Sequence, residues 1–389
     1  MRATGRFHSD GVTRSTGLGA GVRRPELAGQ QPALASVSRA GTDGVAHVAR
    51  LLERGLRDVT GKAPTTLDLD PASADGVSIA ERARFGTRLL ALQLGQRCDW
   101  VLFNHVGIAR AQAHVPRALR RPYGVFLHGV EVWRDALHPD ARRVLAEARL
   151  RISNSDFTAR RTEALYPELR PVHPCPLALL DPHPPDGGDA DEVTLARVRD
   201  PAALIVGRMS SAERYKGHDE LIDAWPAVER DTPGAQLVVA GAGDDEARLR
   251  AKAVQRGVGE HVLFCGRVSA ATLAGLFKRV RVFAMPSRGE GFGIVYLEAM
   301  RAGLPCVAST EDGAGDVVVD GETGILLSPD DRGAIVAALG SLLRDEERAR
   351  RLGAAGRRRY EREFTYEAFR RRLGATLGAA FAPARASAH

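Results

Sequence analysis

The most informative part of the chain is a glycine-rich segment that lies between an apolar strand and a predicted helix. Residues 287–300 read SRGEGFGIVYLEAM. Glycine allows the backbone to approach a ligand closely, and a helix that begins near Ile294 presents unpaired N–H groups and a positive dipole end to phosphate. We therefore predict a phosphate-binding site whose residues are Gly291, Phe292, Gly293 and Ile294.

Two acids belong to the same segment. Glu290 precedes the predicted helix, and Glu298 lies about one turn inside it. On a helix, this spacing would leave the two side chains ~80° apart, so they need not serve the same part of a ligand. One carboxylate can hold sugar hydroxyls and the other a ribose. The helix dipole would by itself explain a single acid here, but it does not explain the whole segment.

Two cations follow an earlier strand in the same half of the chain. Arg208 follows Gly207 after the strand that ends at Val206, and Lys216 follows before the next helix begins. A planar guanidinium and a compact ammonium suit a diphosphate leaving group, which gains negative charge as its bond breaks. Taken singly, either residue would be interpreted as a surface cation.

A histidine ends one strand of the first half. His128 follows Val125–Leu127, and His105 is placed similarly after an earlier strand. The carboxyl end of a parallel strand is a usual ligand position, so His128 is a candidate for catalysis or sugar binding. Histidines also serve structural roles, and the pattern alone leaves both interpretations open.

The elements that would position these residues alternate between strand and helix along both halves of the chain. Such alternation predicts parallel sheets with helices on both faces. Apolar strands are predicted at residues 34–37, 66–69, 100–104, 124–128 and 151–153, and again at 203–206, 236–240, 262–264, 282–284 and 306–309. We therefore predict an α/β protein of two doubly wound, Rossmann-like domains that face each other across a cleft.

The boundaries of these domains follow from composition. Residues 1–33 lack periodicity and predict a flexible leader, whereas a Pro- and Gly-rich stretch predicts a linker. The predicted order is a leader over 1–33, an N-terminal domain over 34–180, a linker over 181–200, a C-terminal domain over 201–365, and a last helix with a tail over 366–389.

Length and composition agree with two globular domains. The chain has 389 residues, more than the ~250–300 at which a single core stops growing. It has no apolar run of the ~20 residues that a spanning helix needs and no secretory signal at its start, so we expect a cytoplasmic protein. Its four cysteines form no CxxC pair, which argues against a zinc site and a disulfide framework.

The net charge of +7 is concentrated in the first half of the chain. A basic face can hold an anionic acceptor or rest on an anionic membrane surface, but solvated arginine-rich helices give the same pattern. We expect no nucleic-acid partner. Four residues of this half are candidates for an acceptor site: Arg110, Arg117, Arg120 and Arg121.

Together these segments resemble glycosyltransferase family 4, the retaining GT-B enzymes known as glycosyl transferases group 1. The resemblance covers about residues 40–375 and includes the spacing of Glu290 and Glu298, the pair Arg208 and Lys216, and the run of four residues that begins at His128. It implies the GT-B fold, a nucleotide-sugar donor, and a last helix that crosses back to the N-terminal domain.

The resemblance also implies a role for each residue. Arg208 and Lys216 would bind the donor diphosphate, Glu290 the transferred sugar and Glu298 the ribose. His128 would contact the sugar near the reacting carbon and, with Glu290, form the catalytic pair. The nucleotide base would lie beside Arg267 and Val268. The resemblance implies that no divalent metal is needed, as is typical of the family, because the cations would neutralise the diphosphate, so we expect neither a metal nor a cofactor.

One turn departs from the family pattern. The family has adjacent glycines before its first helix, whereas this chain reads Gly41-Thr42-Asp43-Gly44. An acid there would repel phosphate, so Asp43 points away, or contacts the acceptor, or belongs to a remodelled turn. Gly44 is nevertheless a candidate for the diphosphate site.

The resulting hypothesis is transfer of a hexose with retention of configuration. The acceptor, a glycan, a glycolipid or a small molecule, would attack the face that the diphosphate leaves, and a diphosphate oxygen would take its proton. Such an enzyme would act in polysaccharide or glycoconjugate biosynthesis, with possible contact to the inner face of a membrane. The alternatives are a nucleotide-sugar epimerase of similar fold and a non-catalytic subunit that binds sugar nucleotides.

Overall fold

The structure is a computed structural model that describes residues 26–37, 43–69, 77–133, 136–180 and 189–383. Its strands form two six-stranded sheets. All strand pairs are parallel, and helices connect successive strands. The predicted α/β fold with two doubly wound domains is therefore confirmed.

The first sheet belongs to the N-terminal domain. Its strands are β1 (Pro32–Val37), β2 (Thr65–Leu69), β3 (Trp100–Phe103), β4 (Tyr123–Leu127), β5 (Leu150–Ser153) and β6 (His173–Pro174), in the order β2-β1-β3-β4-β5-β6. Its helices are α1 (Gly44–Thr60), α2 (Ile79–Leu94), α3 (Val106–Ala109), α4 (Pro139–Glu147) and α5 (Asp156–Leu165). The strand order reverses between β1 and β3, which opens a crevice at their carboxyl ends.

The second sheet belongs to the C-terminal domain. Its strands are β7 (Ala202–Val206), β8 (Gln236–Ala240), β9 (Val262–Gly266), β10 (Val282–Ala284), β11 (Cys306–Ser309) and β12 (Gly324–Leu327), in the order β12-β11-β10-β7-β8-β9. Its helices are α6 (Glu192–Ala196), α7 (His218–Asp231), α8 (Glu246–Gln255), α9 (Ala270–Arg279), α10 (Ile294–Arg301), α11 (Arg332–Arg344) and α12 (Glu346–Glu363). Here the order reverses between β7 and β10, the two strands that precede the predicted cations and Glu290.

The strands are buried because helices cover both faces of each sheet. Every residue of β4 and of β8 is buried. Strands in this position are apolar along nearly their whole length, and these two read YGVFL and QLVVA. The near-continuous apolar runs in the sequence thus indicated parallel strands correctly.

A last helix, α13 (Tyr366–Phe381), returns to the N-terminal domain. The ring of Phe381 stacks on Trp100 with centroids 4.6 Å apart, and the Tyr366 hydroxyl donates a hydrogen bond to Asp58 of α1. Close packing also requires Gly55, because a Cβ there would lie 2.7 Å from Leu373 Cδ2. The two domains are therefore joined by a packed helix as well as by the chain between the sheets.

Two ranges differ from their predicted character. Residues 1–25 lie outside the described residues, but the rest of the predicted leader is folded: Leu27 is buried and β1 begins at Pro32. Within the predicted linker, 181–188 lie outside the described residues, whereas α6 packs on α9 and buries Leu195. Because the segment around Leu27 and the helix α6 are short, their sequences show no periodic pattern.

Two further features concern the described residues only. None of the helices there is both long and apolar enough to cross a membrane. The four cysteines are free, and three of them, Cys98, Cys175 and Cys306, are buried. Their thiols are therefore packing groups of the core.

Candidate active site

The predicted phosphate-binding segment forms the turn between β10 and α10. Gly293 precedes the helix with φ of +82°, a left-handed conformation that glycine adopts without strain. A Cβ on Gly293 would overlap the ring of Tyr296, whose hydroxyl donates a hydrogen bond to the Met285 carbonyl oxygen. No side chain caps this helix, so its first N–H groups remain available to an anion.

The beginning of α1 faces the beginning of α10 across the cleft. A Cβ built on Gly44 would lie 3.9 Å from Ile294 Cδ1, so the first turns of the two helices are in van der Waals range. Each helix directs the positive end of its dipole toward the space between them. The structure thus brings Gly44 to the same cleft as Gly291, Phe292, Gly293 and Ile294.

Asp43 caps α1. Its side chain accepts a hydrogen bond from the Ala46 backbone N–H at 2.8 Å, and its backbone is extended. Of the three alternatives for this acid, the structure selects the one in which the carboxylate turns back to its own helix. Asp is among the preferred N-cap residues, and that local signal was present in the sequence. Gly41 and Thr42 lie outside the described residues.

Arg208 and Lys216 lie at the carboxyl end of β7, beside the turn that carries Glu290. The Lys216 ammonium is 3.4 Å from a Glu290 carboxylate oxygen, and its side chain is 15% exposed. Burial would by itself lower the pKa of Lys216, but Glu290, Tyr215 and Glu213 outweigh it and hold this pKa above its usual value. Lys216 is therefore charged at neutral pH and links the loop between β7 and α7, residues 207–217, to the glycine-rich turn. We call residues 207–217 the cation loop.

Arg208 is more exposed than Lys216. Its guanidinium donates a hydrogen bond to Glu213, and its side chain is 62% exposed. Because β7 and β10 are neighbours at the point where the strand order reverses, the structure brings Arg208, Lys216 and Glu290 together, as the sequence predicts.

Glu290 is held by two consecutive residues that the sequence analysis missed. Its backbone N–H donates to the Asp312 carboxylate at 3.1 Å, and its carbonyl oxygen accepts from the Gly313 N–H at 2.8 Å. The Asp312 carboxylate also accepts from the Ser287 hydroxyl and the Ala314 N–H. We call Asp312 and Gly313 the Glu290 clamp. The clamp follows β11, the strand next to β10, and this adjacency is not visible in the sequence.

The ionisation of Asp312 responds to its surroundings. Burial raises the pKa of Asp312 to about 7, with a further increase from Glu290, although its hydrogen bonds to Ser287, Ala314 and Glu290 favour the charged form. The ionised carboxylate accepts all three hydrogen bonds, whereas a protonated one has an added donor in place of an acceptor. Deprotonation therefore strengthens the clamp on Glu290.

We expect the kcat/KM of the protein to rise as pH increases through about 7, and we expect this increase to be absent in Asp312→Asn. The reason is that the asparagine amide does not titrate and cannot accept every bond of the carboxylate. The measurement is the pH profile of kcat/KM for both proteins, with Asp223→Asn on α7 as a control that keeps the wild-type profile. An unchanged profile in Asp312→Asn would contradict the role of the clamp.

The same group should affect stability with the opposite sign. The pKa of Asp312 is higher in the folded protein than in the unfolded chain, so the folded state binds more protons between about pH 4 and 7. Its contribution to the free energy of unfolding consequently decreases as pH rises through that range. Thermal melts of wild type and Asp312→Asn at several pH values separate this effect from the effect on activity.

His128 lies at the cleft, at the carboxyl end of β4. Its Nε2 is 2.5 Å from the Asn104 carbonyl oxygen and its backbone N–H donates to Glu131. A bond from Nε2 to a carbonyl fixes the proton on Nε2 and leaves Nδ1 as the acceptor. His105, by contrast, caps α3 by accepting from the Gly107 N–H, and burial lowers its pKa. The two similarly placed histidines thus differ in role, and His105 is structural.

The glycine-rich turn also contacts the N-terminal domain directly. A Cβ on Gly291 would overlap the His128 carbonyl oxygen, which accepts a hydrogen bond from Asn154 Nδ2 at 2.7 Å. The Gly291 carbonyl accepts from the Thr158 hydroxyl at 3.4 Å. Backbone therefore packs on backbone beside the site, and the position of His128 relative to Glu290 is set by this contact.

The remaining predicted residues lie around the same edge of the second sheet. Glu298 is half-buried on α10, one helical turn beyond the start. Arg267 is exposed and Val268 is partly buried, and both follow β9 after Gly266, which has φ of +66°. The strands β7 and β8 lie between β10 and β9, and the contacts of Arg267 and Val268 with a nucleotide base stay predictions.

Three of the candidate acceptor residues are elsewhere. Arg117, Arg120 and Arg121 precede β4, whereas His128 follows it, and a strand of this length separates the two edges by ~15 Å. Arg117 and Arg120 both bind Glu147, and Arg110 contacts His138. Arg117, Arg120 and Arg121 therefore lie at the opposite edge of the sheet from His128, and their contact with an acceptor stays a prediction.

In the part of the chain that the structure describes, no three or more His, Cys, Asp or Glu residues are grouped as a metal site. Beside the glycine-rich turn, Arg208 and Lys216 form ion pairs with Glu213 and Glu290.

Comparison with known proteins identifies related sequences. A family model described as "Glycosyl transferases group 1" matches residues 190–359. The GDP-mannose-dependent alpha-(1-6)-phosphatidylinositol monomannoside mannosyltransferase of Mycolicibacterium smegmatis is 38% identical over 198 residues, which are 47% of this chain and 52% of that protein. The chain thus spans about half the length of this relative.

A second relative aligns over a longer range. The GDP-mannose-dependent monoacylated alpha-(1-6)-phosphatidylinositol monomannoside mannosyltransferase of Corynebacterium glutamicum is 32% identical over 267 residues, which are 63% of this chain and 67% of that protein. This match includes residues outside the range of the family model, since it is longer.

Solved structures show the same architecture. Sucrose-phosphate synthase from Thermosynechococcus elongatus superposes with a TM-score of 0.72 at 21% identity and covers 91% of this chain and 100% of its own. Anabaena HepE, in complex with UDP and glucose, superposes with a TM-score of 0.68 at 17% identity and covers 90% of this chain and 100% of its own. At these identities the likeness shows a shared fold.

Proposed function

Because the chain belongs to the glycosyl transferases group 1 family and has the two-domain GT-B fold, we propose that it transfers a hexose from a nucleotide sugar to an acceptor hydroxyl with retention of configuration. The observation that carries this proposal is the meeting of Arg208, Lys216 and Glu290 at the start of α10, opposite the start of α1.

The donor diphosphate would lie between the two helix starts. Arg208 and Lys216 supply positive charge, and the uncapped N–H groups of α10 supply hydrogen bonds. Negative charge develops on the diphosphate as the bond to the sugar breaks, and fixed cations stabilise that charge more in the transition state than in the bound donor. Neutralisation by side chains is the reason we propose that no divalent metal is needed. Transfer that persists in EDTA would agree with this.

The sugar would lie between Glu290 and His128. Glu290 accepts hydrogen bonds from sugar hydroxyls, while its own backbone is fixed by the clamp formed by Asp312 and Gly313. His128 has Nδ1 available as an acceptor because Nε2 is bound to Asn104. Both groups orient the sugar so that its reacting carbon faces the diphosphate, and Glu298 would hold the ribose.

Retention would follow from attack on the face that the diphosphate leaves. The acceptor oxygen forms a bond to the reacting carbon as the carbon–oxygen bond to the diphosphate breaks, and the acceptor proton passes to a diphosphate oxygen. The lysine contact supports this route over double displacement: the carboxylate of Glu290 is paired with Lys216, which weakens it as a nucleophile. Analysis of the product anomer by NMR tests the stereochemistry.

The relatives suggest the first donor and acceptor class to examine. Both mannosyltransferases described above are named as GDP-mannose-dependent enzymes of phosphatidylinositol monomannoside, in the second case of its monoacylated form. We therefore propose a mannose donor and a glycolipid or glycan acceptor, with a peripheral approach to an anionic membrane. The excess positive charge of the first half supports that approach.

A thermal-shift panel of nucleotide sugars tests the donor. We expect the preferred donor to raise the melting temperature most, because a ligand that binds only the folded state stabilises it by mass action. At a concentration of 100 times Kd the expected stabilisation is about 2.7 kcal/mol. The panel should contain GDP-mannose, UDP-glucose and UDP-galactose, with free mannose as the control.

Absence of any shift with all nucleotide sugars would overturn the donor assignment. Consumption of the donor without any acceptor would instead indicate epimerisation or hydrolysis. Binding without consumption, in the presence of a broad acceptor mixture, would indicate a non-catalytic subunit.

A further inference from the structure

A second acid lies in the cation loop, between the two residues assigned to the diphosphate. Glu213 Oε1 accepts a hydrogen bond from Arg208, and Oε2 is 3.9 Å from the Lys216 ammonium. Its side chain is 16% exposed, and Oε2 is a buried oxygen with no hydrogen-bond partner among the described residues. One carboxylate thus bridges both cations of the proposed donor site.

The position of Glu213 is imposed by its loop. Ser211 donates to Asp244 through its backbone N–H and its hydroxyl, and Arg214 binds the Asp245 carboxylate with two hydrogen bonds. Glu213 therefore lies between two anchored residues, and its backbone, with φ −124° and ψ 30°, departs from the surrounding 3-10 segment, Ser211–Lys216. The loop directs this carboxylate toward the cations.

The surrounding charges balance before any ligand enters. Arg208 and Lys216 face Glu213 and Glu290, so two positive charges meet two negative charges. A nucleoside diphosphate that arrives at this site meets cations that already have partners. Its phosphates gain the full attraction only if one of the acids withdraws.

We propose that Glu213 occupies the place of a donor phosphate in the donor-free protein and gives up Arg208 and Lys216 when the diphosphate binds. The inference rests on the proposed function. The Glu213 carboxylate resembles a phosphate in its contacts, because one anionic group with two oxygens reaches a guanidinium and an ammonium at once. Glu290 is the less suitable group to withdraw, since the proposed function assigns its carboxylate to the sugar, whereas Oε2 of Glu213 has no hydrogen-bond partner among the described residues.

Exchange of this kind has two consequences. In the donor-free protein, Glu213 keeps the cations oriented toward the place where the diphosphate will lie. After transfer, the same carboxylate competes with the nucleoside diphosphate product and so hastens its departure. In many enzymes product release limits kcat. An internal competitor would therefore weaken the affinity for the nucleotide and raise kcat.

The test is the affinity of Glu213→Gln for nucleoside diphosphates. Isothermal titration calorimetry of the full chain with GDP, UDP and ADP gives the Kd of each nucleotide for the wild type and the variant. We expect the Kd of the best ligand to fall about tenfold in Glu213→Gln, because the competing charge is gone while the side-chain volume is kept. Inorganic pyrophosphate, used as a second probe, should show the same direction.

Glu147→Gln is the matched control. Glu147 also bridges two cations, Arg117 and Arg120, with 23% of its side chain exposed, but it lies at the far edge of the N-terminal sheet. We expect this variant to keep the wild-type Kd. Melting curves of both variants show whether they fold, and Glu213→Ala replaces Glu213→Gln if the latter does not.

The outcomes separate the inference from the proposed function. An unchanged or higher Kd in Glu213→Gln, with binding that Lys216→Ala abolishes, overturns the inference and leaves the donor site in place. It would make Glu213 a permanent partner that orients the cations. If no nucleoside diphosphate or nucleotide sugar binds the wild type, the proposed function fails and the inference with it.

Discussion

Substitution of Lys216 by alanine is expected to lower kcat/KM for sugar transfer by about a hundred- to a thousandfold, the usual cost of removing one preorganised group that stabilises charge in a transition state. Lys216 is the cation that joins the two halves of the donor site, since it follows β7 and contacts Glu290 after β10. Its loss removes positive charge from the diphosphate and leaves Glu290 unpaired. Steady-state kinetics with the donor identified by thermal shift measures the effect.

Lys252 provides a matched control for this substitution. Its side chain is 17% exposed, close to the 15% of Lys216, and it also lies between two carboxylates, those of Asp219 and Asp223. Lys252→Ala should therefore lose comparable ion pairs and stability while keeping donor turnover. Equal losses of activity in both variants would mean that Lys216 acts through folding, and wild-type activity in Lys216→Ala would remove it from the site.

Gly291→Ala is expected to have the second-largest effect. A Cβ at this position would overlap the His128 carbonyl oxygen and lie 2.9 Å from Asn154 Nδ2. Because the obstacle is backbone, the turn must move away from the N-terminal domain. A displacement of ~1 Å at a catalytic group can reduce the rate about a hundredfold. Overpacking should also cost about 1–3 kcal/mol of stability.

The measurements for Gly291→Ala are kcat/KM and the melting temperature. Gly315→Ala is the control, because a Cβ there meets only Leu326 Cδ1 at an ordinary 4.0 Å. It should behave as wild type in both assays. If Gly291→Ala were as active as Gly315→Ala, the close approach of the two backbones would have no part in positioning His128 relative to Glu290.

Much of the fold could be predicted from the sequence because its signals are local. Strands covered on both faces are continuous apolar runs, as in β4 and β8, and each is followed by a helical pattern. The glycines and acids of residues 287–300 are adjacent in sequence as well as in space, so the turn before α10 was visible. Arg208 and Lys216 were predicted from their position after a strand, and the structure brings them to the turn.

The parts that were missed depend on neighbours that are distant in sequence. Asp312 binds the backbone of Glu290 only because β11 lies beside β10. Neither the sequence around Glu290 nor the sequence around Asp312 indicates which strands are neighbours. Glu213 was missed for a different reason. A phosphate site is expected to be positively charged, so an acid between its two cations gives no signal for phosphate binding in the sequence. Only the distances in the structure show that Glu213 bridges Arg208 and Lys216.

The return of α13 to α1 determines how the domains can move. The chain passes from one domain to the other between β6 and β7 and returns at Tyr366, where α13 leaves α12 and packs on Gly55 and Trp100. A body attached at two points can swing about the line that joins them, but it resists twisting about other axes. The cleft should therefore open by a hinge rotation about this line. Truncation of the chain at Phe364 would remove one of the two attachment points.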